Sequence, residues 1–439
     1  MPVFTVLNCG TNFDRTKRGE LIADFGAGMA GTEYQQFLIT DGVGSTGAAL
    51  PGSFDPFTKN KSTKSNSPTW SRTPMQTLSD VNQGTQSFTP QGHGFLKGVT
   101  SNTSATRAAI TGDGWDDNIR HAISTIAGVF PNGAGTINMV GWSRGAVTCL
   151  RMANWIREFL GDGFDINIFA VDPVAGLDAG EKLRDTYVVP PTVKNYIAIL
   201  ALDEMRGDFK PQDMSRIQVM NPMSTNCAFL PFPGVHNTVV VQKNSGLPEV
   251  TKVVRALAYK FLSTLGSAFR HPETVPHHQK MCELYATMLI KRQKYTGLFK
   301  KNFMNKQMGG VVERTVRANV QSYVGADVKF FVNEHHRRCF ELAWPQIYNY
   351  FFTGRAGAPG TGMVSKTIMA SSPLGQEITQ LSQQDSASSD LLEDIYGVSR
   401  TGTGPLGTGP ALWKIPGPGA GIAGIPAPPN SAAAVQLLM

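Results

Sequence analysis

The stretch Thr136-Ile-Asn-Met-Val-Gly-Trp-Ser-Arg-Gly-Ala146 decides the fold. Thr136 to Val140 predicts a short buried strand, and Ala146 to Phe159 carries the apolar periodicity of a helix. Between them Gly141-Trp-Ser143-Arg-Gly145 fits G-x-S-x-G, a pattern that sets a nucleophile on a tight strand-to-helix turn. The two glycines suit a crowded turn, where a Cβ would strike a neighbouring strand or helix. The turn also places Ser143 at a helix N-terminus, where backbone N–H groups and the helix dipole favour developing negative charge. In a chain with 46 glycines the bare pattern also fits an ordinary turn. The strand before it and the amphipathic helix after it make Ser143 a candidate nucleophile.

Outward from this stretch, the chain alternates strands and helices. Val3 to Leu7 and Gln36 to Thr40 predict core strands, each followed by a glycine-containing turn. Ile119, Ile123, Ile126 and Ala127 recur at helical spacing, with Asp116 or Asp117 as N-cap or first-turn acid. Ile166 to Val171 ends at Asp172-Pro-Val-Ala-Gly176, and Tyr196 to Leu202 ends at Asp203-Glu-Met-Arg206. A weaker strand covers Ile217 to Met220, and Cys227 to Phe232 leads into Pro233-Gly-Val-His236. Strands whose C-terminal ends carry the polar residues predict an α/β fold with a mostly parallel sheet flanked by helices.

Residues 1–270 form the predicted catalytic domain, with 50–91 as a Ser-, Thr-, Asn- and Pro-rich insertion or lid. Residues 271–353 predict a helical region, and 354–439 a largely flexible tail rich in Gly, Pro, Ser and Ala. Lys252 to Phe269 and Met281 to Phe303 predict helices; the second is dotted with lysines and suits a solvated face or an anionic lipid surface.

Composition narrows the function classes. Of 439 residues, 41% are hydrophobic and 17% charged, enough for a sizeable core. A net charge of +7 suits anionic partners such as phospholipid. No nucleic-acid-binding motif is present, so nucleic acid is not an expected partner. Cys9, Cys149, Cys227, Cys282 and Cys339 are scattered, which predicts neither a disulfide framework nor a metal site. No cofactor is expected. The opening Met1-Pro-Val-Phe-Thr-Val-Leu-Asn8 lacks the features of a signal peptide, and no apolar run reaches transmembrane length.

A serine hydroxyl needs an adjacent base oriented by a third group. In α/β-hydrolases the order is Ser, acid, His. His236 is the candidate base, because His271, His277, His278, His335 and His336 lie among helical or charged stretches. Asp172 is the preferred acid and Asp203 the alternative, since Asp203 has charged neighbours that suit a salt bridge. The oxyanion hole would combine the backbone N–H of Arg144 with the first-strand loop at Gly10 and Thr11.

Seven stretches in order resemble those of one family. Asn8-Cys-Gly-Thr-Asn12 is similar to F-D-G-T-x-N, Thr40-Asp-Gly-Val-Gly-Ser45 to Y-x-x-G-V-G-T, and Gly112-Asp-Gly-Trp-Asp-Asp-Asn-Ile119 to G-x-G-x-x-x-N-I. Gly141-Trp-Ser-Arg-Gly-Ala146 is similar to G-F-S-R-G-A, Asp172-Pro-Val-Ala175 to D-T-V-x, Ala201-Leu-Asp-Glu-Met-Arg206 to A-L-D-E-x-R, and Phe232-Pro-Gly-Val-His236 to W-F-P-G-V-H. The resemblance is to the type VI secretion lipase effectors with a G-F-S-R-G-A nucleophile elbow, and covers residues 1 to about 250. It implies an α/β-hydrolase fold, a Ser143, Asp172 and His236 triad, and phospholipase A-type hydrolysis of phospholipid acyl esters. It further implies an antibacterial effector made in the bacterial cytoplasm and exported by a dedicated secretion system to the membrane or periplasm of a target cell. An immunity protein and a secretion spike or chaperone are the implied partners. Trp142 replaces Phe in the elbow, Cys9 replaces the usual Asp, and Asn237-Thr-Val-Val240 replaces Asp-x-Gly-Gly. A soluble cytoplasmic carboxylesterase for small esters and a non-catalytic module of the same fold are the alternative readings.

Overall fold

The computed structural model describes residues 2–42, 115–176, 183–204, 211–241, 247–303, 333–343, 345 and 429–439. The expected lid at 50–91, the Val43 to Ser45 part of the second glycine turn, Arg206, and the tail over 354–428 lie outside these residues. The chain divides into two compact units. The first holds residues 1–199, 207–227 and 261–272; the second holds 200–206, 228–260 and 273–439.

The first unit is an α/β layer structure. Its strands are β1 (Val3–Asn8), β2 (Phe37–Thr40), β3 (Gly135–Trp142), β4 (Phe164–Val171) and most of β6 (Val193–Ala201). The sheet order is β2-β1-β3-β4-β6, and the opening residues of β8 (Asn226–Phe232) follow β6. The pairs β1–β2, β1–β3, β3–β4 and β4–β6 are all parallel. Short strands β5 (Val188–Val189) and β7 (Gln218–Val219) form a separate parallel pair. Helices α1 (Leu21–Gly28), α2 (Trp115–Val129) and α3 (Arg144–Leu160) flank the sheet. This is the mostly parallel α/β architecture expected from the strand spacing.

The strands are buried along most of their length because helices cover them, so they read as continuous apolar runs. Helix α1 has no counterpart in the expected elements. Glu20 starts it by accepting hydrogen bonds from the N–H groups of Ile22 and Ala23, both at 3.0 Å.

One polar line crosses this apolar sheet. Thr5, Asn138, Asn167 and Asn195 are register partners on β1, β3, β4 and β6. Asn167 donates to Asn138 Oδ1 at 2.9 Å, Asn195 to Asn167 Oδ1 at 2.7 Å, and Asn226 to Asn195 Oδ1 at 2.8 Å. At the other end Asn138 Nδ2 donates to Ser267 Oγ at 2.9 Å, and Ser267 meets Thr5 Oγ1 at 2.7 Å. A one-residue slip of any strand would turn its asparagine to the opposite face and break the line. The line therefore fixes the register that aligns the strand ends. Asn167→Leu strands an acceptor on Asn138 and a donor on Asn195. With about 1–3 kcal/mol for each buried group left unsatisfied, the variant is expected to lose roughly 3 kcal/mol or more in urea denaturation. A loss below about 1 kcal/mol would show that the line contributes little.

The second unit holds the end of β6, most of β8, helix α4 (Pro248–Thr264) up to Lys260, α5 (His278–Phe303), α6 (Glu334–Ala343) and α7 (Ser431–Gln436). Its core includes a buried polar cluster. Tyr285 of α5 stacks on His336 at 4.4 Å and meets His335 Nδ1 through its hydroxyl at 2.7 Å. Asn333 accepts from His336 N–H at 2.9 Å, and its own amide donates to Pro231 O at 3.2 Å. The expected charged setting of His335 and His336 is thus confined to their helical neighbours, which pair among themselves as Glu334–Arg337 and Arg338–Glu341.

Burial drives the pKa of His335 down to about 3, and lowers that of His336 in the same direction. Tyr285 faces the pair from α5, Cys339 and Asn333 from α6 and its cap, and the Leu438 backbone from the C-terminus, while His278 at the start of α5 further disfavours a charge on His335. An unfolded chain takes up these protons near pH 6.5, but the folded unit resists them. Stability is therefore fully present above about pH 6.5 and falls as pH drops from 6.5 toward 3. The expected slope is about 1.4 kcal/mol per pH unit for each histidine. Hydrogen exchange at α6, followed from pH 7 to pH 4, checks this. His335→Asn should flatten the dependence, and an unchanged slope would contradict it.

Candidate active site

Ser143 follows β3 directly and precedes α3, as the G-x-S-x-G pattern requires. Its backbone has φ 59° and ψ −125°, a left-handed conformation that side chains rarely adopt. Such a residue costs about 1–3 kcal/mol and persists only where its surroundings enforce it. The enforcing contacts are specific. Ser143 N–H donates to Val171 O at 2.9 Å, and Ser143 O accepts from Val174 N–H at 3.3 Å and Ala146 N–H at 3.1 Å. Serine at a helix N-cap usually bonds back to the helix. Here the Ser143 side chain makes no capping hydrogen bond. The hydroxyl is therefore not used to start the helix it precedes.

The flanking glycines answer to close contacts. A Cβ on Gly141 would run into the backbone of Gly145, and a Cβ on Gly145 would run into the carbonyls of Asn8 and Cys9. The start of α3 thus lies directly on the end of β1. Gly10 presses against the ring of Trp142, where a Cβ would come within 2.6 Å. Phe13 meets the same ring edge-on at 4.6 Å. Gly42 N–H closes on Phe13 O at 2.7 Å, so the first loop is held in a compact turn. The candidate oxyanion loop at Gly10 and Thr11 is therefore set beside the elbow, on the neighbouring strand end.

Asp172 ends β4, and the register pair Trp142–Val171 makes it the strand-end neighbour of Ser143. It is fully buried, has φ 40°, and donates its N–H to Ile199 O at 2.7 Å. Two consecutive strand ends of a parallel sheet, about 4.8 Å apart, both carry a positive φ and a polar side chain. The first unit thus brings together Ser143, Asp172 and the Gly10 loop.

The Arg144 side chain supports this corner. It is buried, lies 5.6 Å from the Trp115 ring, and packs on Gly176, whose φ of 92° closes the turn after Asp172. Burial lowers its pKa to about 10, which leaves it charged at neutral pH. Trp115 in turn donates to Thr148 Oγ1 at 2.6 Å and carries Arg151 on its ring at 4.5 Å. Arg151 binds Asp116 at 2.8 Å and Asp185 at 3.0 Å. Asp116 is a first-turn acid of α2, one of its two expected roles. Sequence reasoning credited Arg144 with a backbone N–H only; its side chain has no local signal, because Trp115 and Gly176 are distant in sequence.

In the second unit His236 is buried in the turn after β8. Two carboxylates hold that turn by its backbone. Asp203 Oδ2 accepts from Gly234 N–H at 2.6 Å, and Glu204 Oε2 accepts from His236 N–H at 3.0 Å. The Asp203 N–H completes the clamp by donating to Gly234 O at 2.9 Å. The other Asp203 oxygen binds Arg292 at 2.8 Å. The salt bridge expected for Asp203 exists, with Arg292 of α5 as its partner. Glu204 was not among the expected functional residues.

Among the described residues, no group of three or more His, Cys, Asp or Glu side chains is placed to hold a metal ion. No helix among them is long and apolar enough to cross a membrane. All five cysteines are free and buried, and burial raises their thiol pKa values.

Residues 277–395 match a domain of unknown function, DUF5621. No curated protein matches the chain. The crystal structure of an uncharacterized protein from Pseudomonas aeruginosa is similar at 14% identity and a TM-score of 0.37, over 91% of this chain and 60% of that one.

Proposed function

We propose that this chain is a serine hydrolase of the α/β-hydrolase type that cleaves phospholipid acyl esters. One observation carries the reading: Ser143 holds a strained left-handed backbone at a strand-to-helix turn, with its hydroxyl withheld from helix capping and Asp172 on the adjacent strand end. An ordinary glycine turn has no need of that strain.

In this reading Ser143 Oγ attacks the ester carbonyl and forms an acyl-enzyme. His236 takes the serine proton and passes it to the leaving alcohol, and Asp172 orients the imidazole. The backbone N–H groups of Arg144, Gly10 and Thr11 receive the oxyanion. Water then releases the fatty acid by the reverse proton path. His236 is assigned from chain order and from its strand-end turn.

The phospholipid substrate is supported by the seven ordered motifs and by the +7 charge, which favours anionic surfaces. The same motifs support export as an antibacterial type VI effector, with an immunity protein in the producing cell. A fluorophosphonate probe and a substrate panel test the reading. Stoichiometric labelling at Ser143, with turnover of phospholipid vesicles, is expected. Turnover of soluble short-chain esters alone would move the assignment to a small-ester carboxylesterase. No labelling of folded protein would reject the hydrolase reading.

A further inference from the structure

Two of the ordered sequence stretches take no part in the triad: Thr40-Asp-Gly42 at the end of β2, and Asn118-Ile119 in the first turn of α2. The first unit brings both to the loop that follows β1. Asn118 and Asp41 are buried, and Asn118 Nδ2 donates to Asp41 O at 2.9 Å. The Asp41 carboxylate in turn grips Arg15. Its Oδ1 accepts from Arg15 N–H at 2.9 Å, and both of its oxygens accept from Arg15 Nε at 3.2 Å. The rest of the Arg15 guanidinium binds Glu33 at 2.9 Å and Ile39 O at 2.9 Å.

The end of β2 also holds the loop by its backbone. Cys9 N–H donates to Thr40 O at 3.0 Å where the chain leaves β1, and Gly42 N–H donates to Phe13 O at 2.7 Å. Within the loop Phe13 N–H donates to Gly10 O at 2.9 Å. A Cβ on Gly42 would run into that same Gly10 carbonyl, so β2 and the loop meet backbone to backbone. The carbonyls of Gly10 and Phe13 are thereby committed. The N–H groups of Gly10 and Thr11 are not: among the described residues neither makes a hydrogen bond. Gly10 is buried against the Trp142 ring, next to the elbow. A buried backbone N–H without a partner is uncommon. Successive ones beside Ser143 suit an anion that forms during a reaction, and such donors are effective only if they are fixed before it forms.

We propose, resting on the serine-hydrolase reading above, that Asp41, Arg15 and Asn118 are positioning residues that hold the Gly10 and Thr11 amides in place as oxyanion donors. Asp41 acts through Arg15 and through the neighbouring Gly42, and Asn118 acts through Asp41.

The test measures kcat and KM on p-nitrophenyl butyrate, with the rate and extent of fluorophosphonate labelling, at a temperature where each full-length variant is folded. Asp41→Ala is expected to lower kcat about 10²-fold, the effect of a misplacement near 1 Å, with KM within about threefold of wild type. Labelling should slow by a similar factor yet reach the same stoichiometry, because Ser143 is intact. Asp41→Asn keeps an acceptor for Arg15 N–H and should recover about tenfold of the loss. A purely structural role would lower the melting temperature without this split between kcat and KM. Wild-type kcat in folded Asp41→Ala, or a loss carried by KM alone, would overturn the proposal and leave the hydrolase reading standing. Absence of labelling in folded wild-type protein would reject that reading, and the proposal with it. If Asp41→Ala fails to fold, Asn118→Ala decides. A kcat lower by about tenfold at unchanged KM is then expected, and a kcat within about twofold of wild type would overturn the proposal.

Discussion

Ser143→Ala is expected to lower kcat on phospholipid vesicles by a factor on the order of 10⁴ to 10⁶ while leaving the fold intact. The separation of the two effects follows from the local structure. The Ser143 hydroxyl caps nothing, so its loss removes no helix-start hydrogen bond. The contacts that enforce the turn are made by its backbone N–H and carbonyl, and alanine keeps both. The remaining activity would come from the oxyanion donors and from substrate binding. Ser143→Gly sharpens the point, because glycine adopts this backbone without strain. That variant is expected to be equally inactive, yet more stable by about 1 kcal/mol. Initial rates beside thermal melts read both quantities. A Ser143→Ala variant retaining a tenth of wild-type activity would remove Ser143 as the nucleophile.

The strand ends that carry Ser143 and Asp172 were legible in the sequence because buried parallel strands are continuous apolar runs, and each run stops at a polar turn. The glycines of the elbow were legible for the same reason: a close backbone approach has only one residue type that fits. What lay between these landmarks was harder to read. Asn138 and Asn167 each sit five residues before the strand-end residue, and the shared offset was the available signal for the polar line. A single asparagine inside an apolar run, however, looks like a local exception. Only the register shows that each one satisfies the next. His335 and His336 were hidden by their neighbours. Glu334 pairs with Arg337 and Arg338 with Glu341 at i,i+3 spacing, so these charges are matched within the helix, and Glu334 and Arg337 are buried alongside the histidines. The Asp203 partner was invisible for a third reason. Its described partner, Arg292, lies far along the chain, and contacts across such separations leave no local pattern.

Asp172 and Asp203 were alternatives for the triad acid, and their surroundings now predict different failures. Asparagine at Asp172 keeps the size of the side chain and tolerates the positive φ at least as well as aspartate. Folding should therefore survive, and a neutral amide should leave the base unoriented and its charge uncompensated. The expected result is a kcat lower by about 10³ to 10⁴, with Tm nearly unchanged. Asp203→Asn should do the reverse. It removes the negative charge that binds Arg292 and weakens the acceptor for Gly234 N–H, so the turn before His236 loosens. The Arg292 side chain is about one-third exposed, at 34%, so solvent screens part of the loss. A destabilisation of roughly 1–2 kcal/mol, and less than a tenfold change in kcat at a temperature where the variant is folded, is expected. Rates and melts of the two variants under one buffer give the comparison. If Asp203→Asn proves the more damaging to kcat in folded protein, the acid belongs to the later strand, and Asp172 serves only to shape the turn beside Ser143.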